Sequence, residues 1–464
     1  MRTLRIPAAT VRRLRAELLD DDERERFAFL YAGDEGDLLA SRVVPVDDDA
    51  MARQSKTACR PDPAVERTHV GACYDERLAP VLVHSHPFAD TPRFSSVDVE
   101  SMGRFREWLS GLYPDESFGF SVVGTRGIEA VGDAPGRLQA LDVEVLGEWK
   151  LDTPVPGATS RFDTPADADA TADDDRFDRN VRAFGTEGQR RLQEATVGVV
   201  GVGGLGSMVA QQLARLGVED LVLVDDDVVE ESNLSRLTGV YDHHVGRPKV
   251  IAVREHLWRA GSDDIAVEAV DGRVQDHTEA LDRCDVVVGC VDSMTARSVC
   301  NEYAVKHLTY YLDAGVRIDT ADDRAVEMTG YVHLVAPGSN ACLDCLGRHD
   351  QDATRLERMD PAERSAELER GYIDDDDLAP EPAVVHLNGQ CASKAVSVLV
   401  ELVTGRTDPP DFIRYEDHAH EMTELTTDPS DACPTCGSDG VLGVGRRSFG
   451  DAHFEPAEDA AASD

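Results

Sequence analysis

The run Val197-Gly-Val-Val-Gly-Val-Gly-Gly-Leu-Gly206 decides the fold. Residues 197–200 read as a strand, and they open directly into Gly201, Gly203, Gly204 and Gly206. Glycines there let the backbone approach a ligand closely. The helix expected from about Ser207 turns its N-terminal amides toward the same spot, which favours phosphate. Further along, residues 221–224, 248–259, 266–270 and 285–290 alternate strand-like and helix-like patterns. Near-continuous apolar strands separated by helices predict a parallel sheet covered on both faces, a doubly wound α/β unit.

The 464-residue chain is long enough for two or three domains with cores of their own. It carries 89 acidic against 47 basic residues, a net charge of -42, and its lysines are Lys56, Lys150, Lys249, Lys306 and Lys394. An acidic, lysine-poor composition spread over the whole length resembles that of proteins from salt-loving archaea. In a salt-rich cytosol the Debye length falls to about 3 Å, which screens the self-repulsion. No basic stripe is present to bind nucleic acid. No apolar stretch approaches the ~20 residues needed to span a bilayer, so no membrane partner is expected. Residues 1–15 contain arginines and lack the apolar core of a signal peptide, which points to a cytoplasmic protein.

Residues 1–150 mix strand-like runs at 27–31, 81–83 and 118–123 with one amphipathic helix near 97–112, predicting a compact α+β domain. Residues 151–175 are rich in Pro, Ala and Asp and predict a disordered acidic linker. The α/β unit fills 176–448, with a polar stretch at 348–382 ahead of a last helix at 390–402. Residues 449–464 read as a disordered acidic tail.

The residues behind the glycines favour ATP over a dinucleotide cofactor. Asp225-Asp-Asp227 sets carboxylates at a strand tip, where Asp225 and Asp227 can hold ribose hydroxyls. Asn233, Arg236 and Lys249 follow as donors for a triphosphate, and Asp292, at the end of another strand, can hold magnesium. With Arg297 behind it, this constellation closely resembles the Rossmann-like adenylation domain shared by ubiquitin-activating enzymes and the ThiF/MoeB/HesA family. The resemblance runs from Arg176 to about residue 436 and includes Arg179 and Glu187-Gly-Gln189. It implies ATP and Mg2+, with Asp225 on the ribose, Asn233, Arg236 and Lys249 on the phosphates, and Asp292 positioning magnesium. It also implies a homodimer in which Arg179 reaches the triphosphate of the other subunit.

A second centre lies upstream. His84-Ser85-His86-Pro87 is followed after seven residues by Ser95, and two residues later by Asp98. In a strand, residues two apart share a face, so His84 and His86 can reach one ion, and Asp98 can loop round as a third ligand. Three protein ligands leave zinc a fourth position for water. The complete spacing resembles the zinc signature of the JAMM (JAB/MPN-type) metalloproteases, which cleave ubiquitin-like proteins from their targets. That resemblance implies His84, His86 and Asp98 as zinc ligands, Ser95 as a donor to the developing oxyanion, and an upstream glutamate as general base. Glu25, ahead of Arg26-Phe-Ala-Phe-Leu30, is the choice, with Glu23 as its rival.

Cys342-Leu-Asp-Cys345 and Cys433-Pro-Thr-Cys436 are paired knuckles that predict a closed, four-thiolate structural zinc unable to activate water. Many relatives carry a thioester-forming cysteine after the first knuckle, yet residues 346–390 contain none, and Cys391 reads as a buried small hydrophobe. The leading expectation is a bifunctional enzyme. It would adenylate the C-terminal carboxylate of a ubiquitin-like or sulfur-carrier protein ending in Gly-Gly and hydrolyse peptide or isopeptide bonds of such proteins. Adenylation of a small molecule or tRNA base, and a non-catalytic scaffold for ubiquitin-like tails, stay open.

Overall fold

The apolar run ahead of the glycines forms β10 (Thr196–Val200), and its period-two alternation divides it between two cores. Val197 and Val199 face one cluster, with Leu221, Leu223, Val286 and Val288 from the neighbouring strands, while Val200, Val222, Val224 and Val287 face the other. A computed structural model of the chain describes residues 2–20, 24–113, 116–134, 137–163, 175–321, 324–348, 351–360, 363, 370 and 382–446. Glu23, most of the 348–382 stretch and the 449–464 tail lie outside the described residues.

The first unit is a closed barrel. Its strands are β1 (Thr3–Pro7), β2 (Phe27–Asp34), β3 (Leu38–Pro45), β6 (Ala79–Ser85), β7 (Gly119–Val123), β8 (Ile128–Ala134) and β9 (Arg137–Leu146), in the order β1-β3-β2-β6-β7-β8-β9. β1 closes it by pairing in parallel with both β3 and β9. A ribbon of β4 (Met51–Gln54) and β5 (Cys59–Pro61) stands apart. β2 is buried on both faces: Ala28, Leu30 and Ala32 pack with Val11, Leu14 and Leu18 of α1 (Ala8–Leu18). Phe27, Phe29 and Tyr31 pack with α2 (Pro63–Asp75) and α3 (Ser96–Leu112). The helix expected near 97–112 is α3.

The second unit contains β11 (Asp220–Asp225), β12 (Ala266–Asp271), β13 (Val286–Gly289), β14 (Tyr310–Ala321), β15 (Arg324–Val335), β16 (Phe412–Glu416) and β17 (Glu421–Leu425) with β10. The order is β12-β11-β10-β13-β14-β15-β16-β17. The first five are parallel, and the sheet turns antiparallel from β14 to β17. The expectation of a parallel sheet therefore holds for half of it. Its helices are α4 (Asp178–Glu194), α5 (Gly204–Leu216), α6 (Lys249–Ala260), α7 (Met294–His307), α8 (Gln351–Arg358) and α9 (Val385–Thr404).

Residues 151–163 correct the linker expectation. Val155 is buried in the barrel core and Phe162 in the sheet core. Arg161 bonds Glu144 of β9 and donates to the carbonyls of Asp285 and Leu308. The averaged Pro/Ala/Asp composition hid two apolar anchors and one buried cation. Residues 164–174 lie outside the described residues. Asp285 and Leu308 precede β13 and β14, so the barrel docks at the N-terminal ends of the parallel strands. A strap from residue 441 to 446 adds a second contact, with the Gly443 carbonyl accepting from Gly33 N (3.0 Å) and its amide donating to Val305 O (3.0 Å).

Candidate functional site

A cleft of about 980 Å³ lies beyond the C-terminal ends of β10, β11 and β13. Gly201 has φ +82°, and a Cβ there would come 2.8 Å from the Cys290 carbonyl; a Cβ on Gly206 would come 1.8 Å from Gly201 O. α5 starts at Gly204, three residues before the expected Ser207. Its N-cap Gly203 offers no side-chain cap, so the first amides open into the cleft. Asp225 braces the turn: its carboxylate accepts from Val202 N (2.7 Å) and Asp227 N (2.9 Å). Burial pushes its carboxyl up to about 6, while Lys249 and those amides pull it back. Lys249 pairs with Asp227 at 2.6 Å.

Of the expected nucleotide residues, Gly201, Gly203, Gly204, Asp225, Asp227, Arg236, Lys249 and Asp292 line this cleft. Gly206 instead permits the close approach behind it. Asn233 is buried and accepts from Glu230 N (3.2 Å), closing the 3-10 turn that presents Arg236. Arg179 is exposed on the first turn of α4 and does not line the cleft of its own chain.

The four cysteine sulfurs form one cluster, Cys342–Cys433 at 3.6 Å and Cys345–Cys436 at 3.3 Å. Zinc–sulfur bonds of about 2.3 Å put tetrahedral ligands about 3.8 Å apart, so this donor set fits a closed zinc. The amides of Ser430 and Cys436 donate to the Cys345 and Cys433 sulfurs.

In the barrel, β6 ends at the histidine pair. Asp98 Oδ1 lies 3.3 Å from His84 Nε2, and its Oδ2 lies 3.5 Å from His86 Nε2. The three residues form the second candidate metal cluster among the described residues. Asp98 is held there by a reciprocal cap of α3: Ser95 N donates to Asp98 Oδ2 (2.6 Å) and Asp98 N to Ser95 Oγ (3.2 Å). The capping leaves the exposed Ser95 hydroxyl its own proton to donate. Glu25 is buried, with Oε1 3.7 Å from His86 Nε2. Desolvation raises its carboxyl to about 7, against the pull of His86 and with Asp98 adding to the rise. Asp98 is driven far below the usual carboxylate range: burial opposes this, and the adjacent His84 and His86 with the bond from Ser95 outweigh it. Glu25 Oε2 and His84 Nε2 are buried without a hydrogen-bond partner among the described residues; His84 is within ion-pair distance of Asp98 but outside hydrogen-bonding geometry. His84, His86 and Asp98 offer ligand atoms that all lie within 4.8 Å of one another, which fits a cation.

With both sites placed, comparison with known proteins decides the family. The model described as "ThiF family" matches residues 177–435, more than half of the 464 residues. The chain belongs to the ThiF family. It is 42% identical over 132 residues to the SAMP-activating enzyme E1 of Haloferax volcanii, covering 28% of this chain and 48% of that one. It is 34% identical over 180 residues to the molybdopterin-synthase adenylyltransferase of Salmonella typhimurium, covering 37% and 68%. It is 28% identical over 260 residues to the sulfur carrier protein ThiS adenylyltransferase of Bacillus subtilis, covering 55% and 68%. The chain thus spans about half the length of the first relative. The family match begins at residue 177, beyond the barrel.

This ThiF-family cleft also holds residues that sequence reasoning missed. Arg273 pairs with Asp226 at 3.1 Å, just past β12. The Gly272-Arg273 pair at a strand's C-terminal end was the available signal, because ligands of such sheets bind there. Glu357 of α8 closes the N-terminus of α7, accepting from Ser293 Oγ (2.7 Å), Met294 N (2.7 Å) and Thr295 N (2.9 Å). Asn388, on the first turns of α9, is the third. No spacing marks the last two.

Proposed function

We propose that this chain adenylates the C-terminal carboxylate of a ubiquitin-like or sulfur-carrier protein with ATP. The observation that carries the reading is the convergence of Arg236, Lys249 and Asp292 on the open amides of α5 in a ThiF-family chain. The relatives' names supply the substrate class. A carboxylate oxygen attacks the α-phosphorus, and the bond from that phosphorus to the oxygen bridging the β-phosphate breaks. Pyrophosphate leaves and an acyl-adenylate remains. The chain's part is positioning and charge: Arg236, Lys249 and the α5 amides neutralise the triphosphate, and Asp225 orients the ribose. Magnesium, held by Asp292, would supply further charge neutralisation when bound. Cys391 donates to the carbonyls of Tyr331 (3.2 Å) and Gly315 (3.5 Å), and burial pushes its thiol up to about 12, which supports the adenylate, rather than a thioester at Cys391, as the end point. ATP–pyrophosphate exchange driven by a Gly-Gly-ending protein tests this. Arg236→Ala and Asp292→Ala should each abolish exchange and Cys391→Ala should leave it; exchange surviving Asp292→Ala overturns the assignment.

The barrel supports a second activity, that of a JAMM-type zinc peptidase for the same proteins. His84, His86 and Asp98 would hold zinc, which supplies a polarised water when bound. Glu25 takes the proton and returns it to the leaving nitrogen, and Ser95 donates to the developing oxyanion. The observation favouring it is the buried Glu25 carboxyl, raised to about 7, beside His86. Glu25→Gln should keep its zinc and lose cleavage of a ubiquitin-like fusion; unchanged cleavage overturns it. We place both activities in a cytoplasmic homodimer; among the described residues no helix is long and apolar enough to cross a membrane.

A further inference from the structure

Most polar side chains around the cleft are already committed: Asp225 to its turn, Lys249 to Asp227, Arg273 to Asp226, Glu357 to α7. Asn388 is one that is not, and it comes from a distant helix. It is 3% exposed and lines the cleft, yet its side-chain amide has no hydrogen-bond partner among the described residues. Its Nδ2 would come 2.4 Å from a Cβ built on Gly204, and Arg236 Cγ would come 3.2 Å from the same point. Asn388 and Arg236 therefore both lie against the first residue of α5. That helix end has no side-chain cap, whereas the other helix N-terminus at the cleft, that of α7, is already filled by Glu357.

The Asn388 amide opens into the cleft, where a ligand or water can complete its hydrogen bonding. We propose that Asn388 donates directly to the phosphates of the bound nucleotide, bracketing them against Arg236 over the α5 amides. α9 thereby contributes a ligand-binding side chain and not packing alone. The inference rests on the adenylation reading, since it takes a nucleoside triphosphate as the ligand.

Nucleotide binding to the full-length protein, measured calorimetrically with Mg-ATP and separately with adenosine, tests it without a protein substrate. Asn388→Ala should weaken Mg-ATP by about tenfold or more, the size of one hydrogen bond to a charged group, and leave adenosine unchanged. Asn388→Asp, nearly isosteric but anionic, should weaken Mg-ATP further, and it decides the matter if the alanine variant does not fold. Mg-ATP binding unchanged in Asn388→Ala or Asn388→Asp overturns the proposal, as does equal loss of adenosine and ATP, which would mark a structural role. A wild-type protein that binds Mg-ATP no tighter than adenosine overturns the adenylation reading along with it.

Discussion

His307 Nδ1 lies 2.8 Å from Glu35 Oε2, so the last residue of α7 meets the residue just past β2. The Arg446 amide of the strap donates to the same carboxylate. α7 has 14 residues, about 21 Å at 1.5 Å each, and β2 has 8, about 27 Å at 3.4 Å each. One begins at the nucleotide cleft and the other beside Glu25. Their far ends meet at this ion pair.

The pair makes the contact between the units pH-dependent. Burial raises the Glu35 carboxyl, but bonds from His307 and Arg446 outweigh it, and the net shift is below the ordinary 4.5. A depressed carboxylate contributes stability that is complete above its unfolded value and lost as pH falls through the folded one. Glu35→Gln should cost about 1 kcal/mol at pH 7. In thermal melts the difference from wild type should shrink below pH 4.5; a constant difference down to pH 3 would mean that the charge is not responsible.

Ser85, fully buried between the two histidines, accepts from Arg26 N through Oγ (2.9 Å), and its amide donates to Arg26 O (3.0 Å). This clasp holds the chain beside Glu25 just before β2 begins. On the proposed peptidase reading, Ser85→Ala should keep the metal and slow peptide cleavage about 10- to 100-fold through misplacement of Glu25. Ser85→Thr, which retains the hydroxyl, should restore the rate; a Ser85→Ala rate equal to wild type would remove Ser85 from the site's support.

Loss of the four-cysteine metal should be felt in both units. Cys433→Ser should release one zinc per chain and lower the melting temperature, because a structural zinc contributes folding energy directly. The strap beyond Cys436 reaches Gly33, so limited proteolysis should also show new cuts in the barrel. Full stability without the metal would leave the knuckles with no structural role.

Arg179 calls for a mixing experiment. Arg179→Ala and Asp292→Ala chains, each inactive in pyrophosphate exchange, should recover part of the activity when combined if Arg179 serves the partner's cleft. No recovery, with dimers verified by light scattering, would mean that Arg179 does not act across the subunits.

The elements most legible in the sequence were those with one dominant local signal. β10, α5, β11, α6, β12 and β13 follow from apolar runs separated by glycine and carboxylate-bearing turns. The antiparallel half of the sheet was not read: β14 with β15 and β16 with β17 are local hairpins lacking a strong turn signal, and the pairing of β15 with β16 joins segments some eighty residues apart. Barrel closure through β1 and β9 has the same long-range character. The site divides likewise. Gly201 to Arg236 and Lys249 stand within one continuous stretch, whereas Glu357 and Asn388 arrive from distant helices and acquire meaning only in three dimensions.

Arg161 anchors the barrel at the strand beginnings of the sheet, while the nucleotide cleft opens beyond the strand ends. On the proposed functions, a polypeptide tail seated at one centre would have the body of the sheet between it and the other. Any tail that serves both must let go, travel through solvent and be caught again by this chain or another. On that reading the molecule offers two stations, not one tunnel.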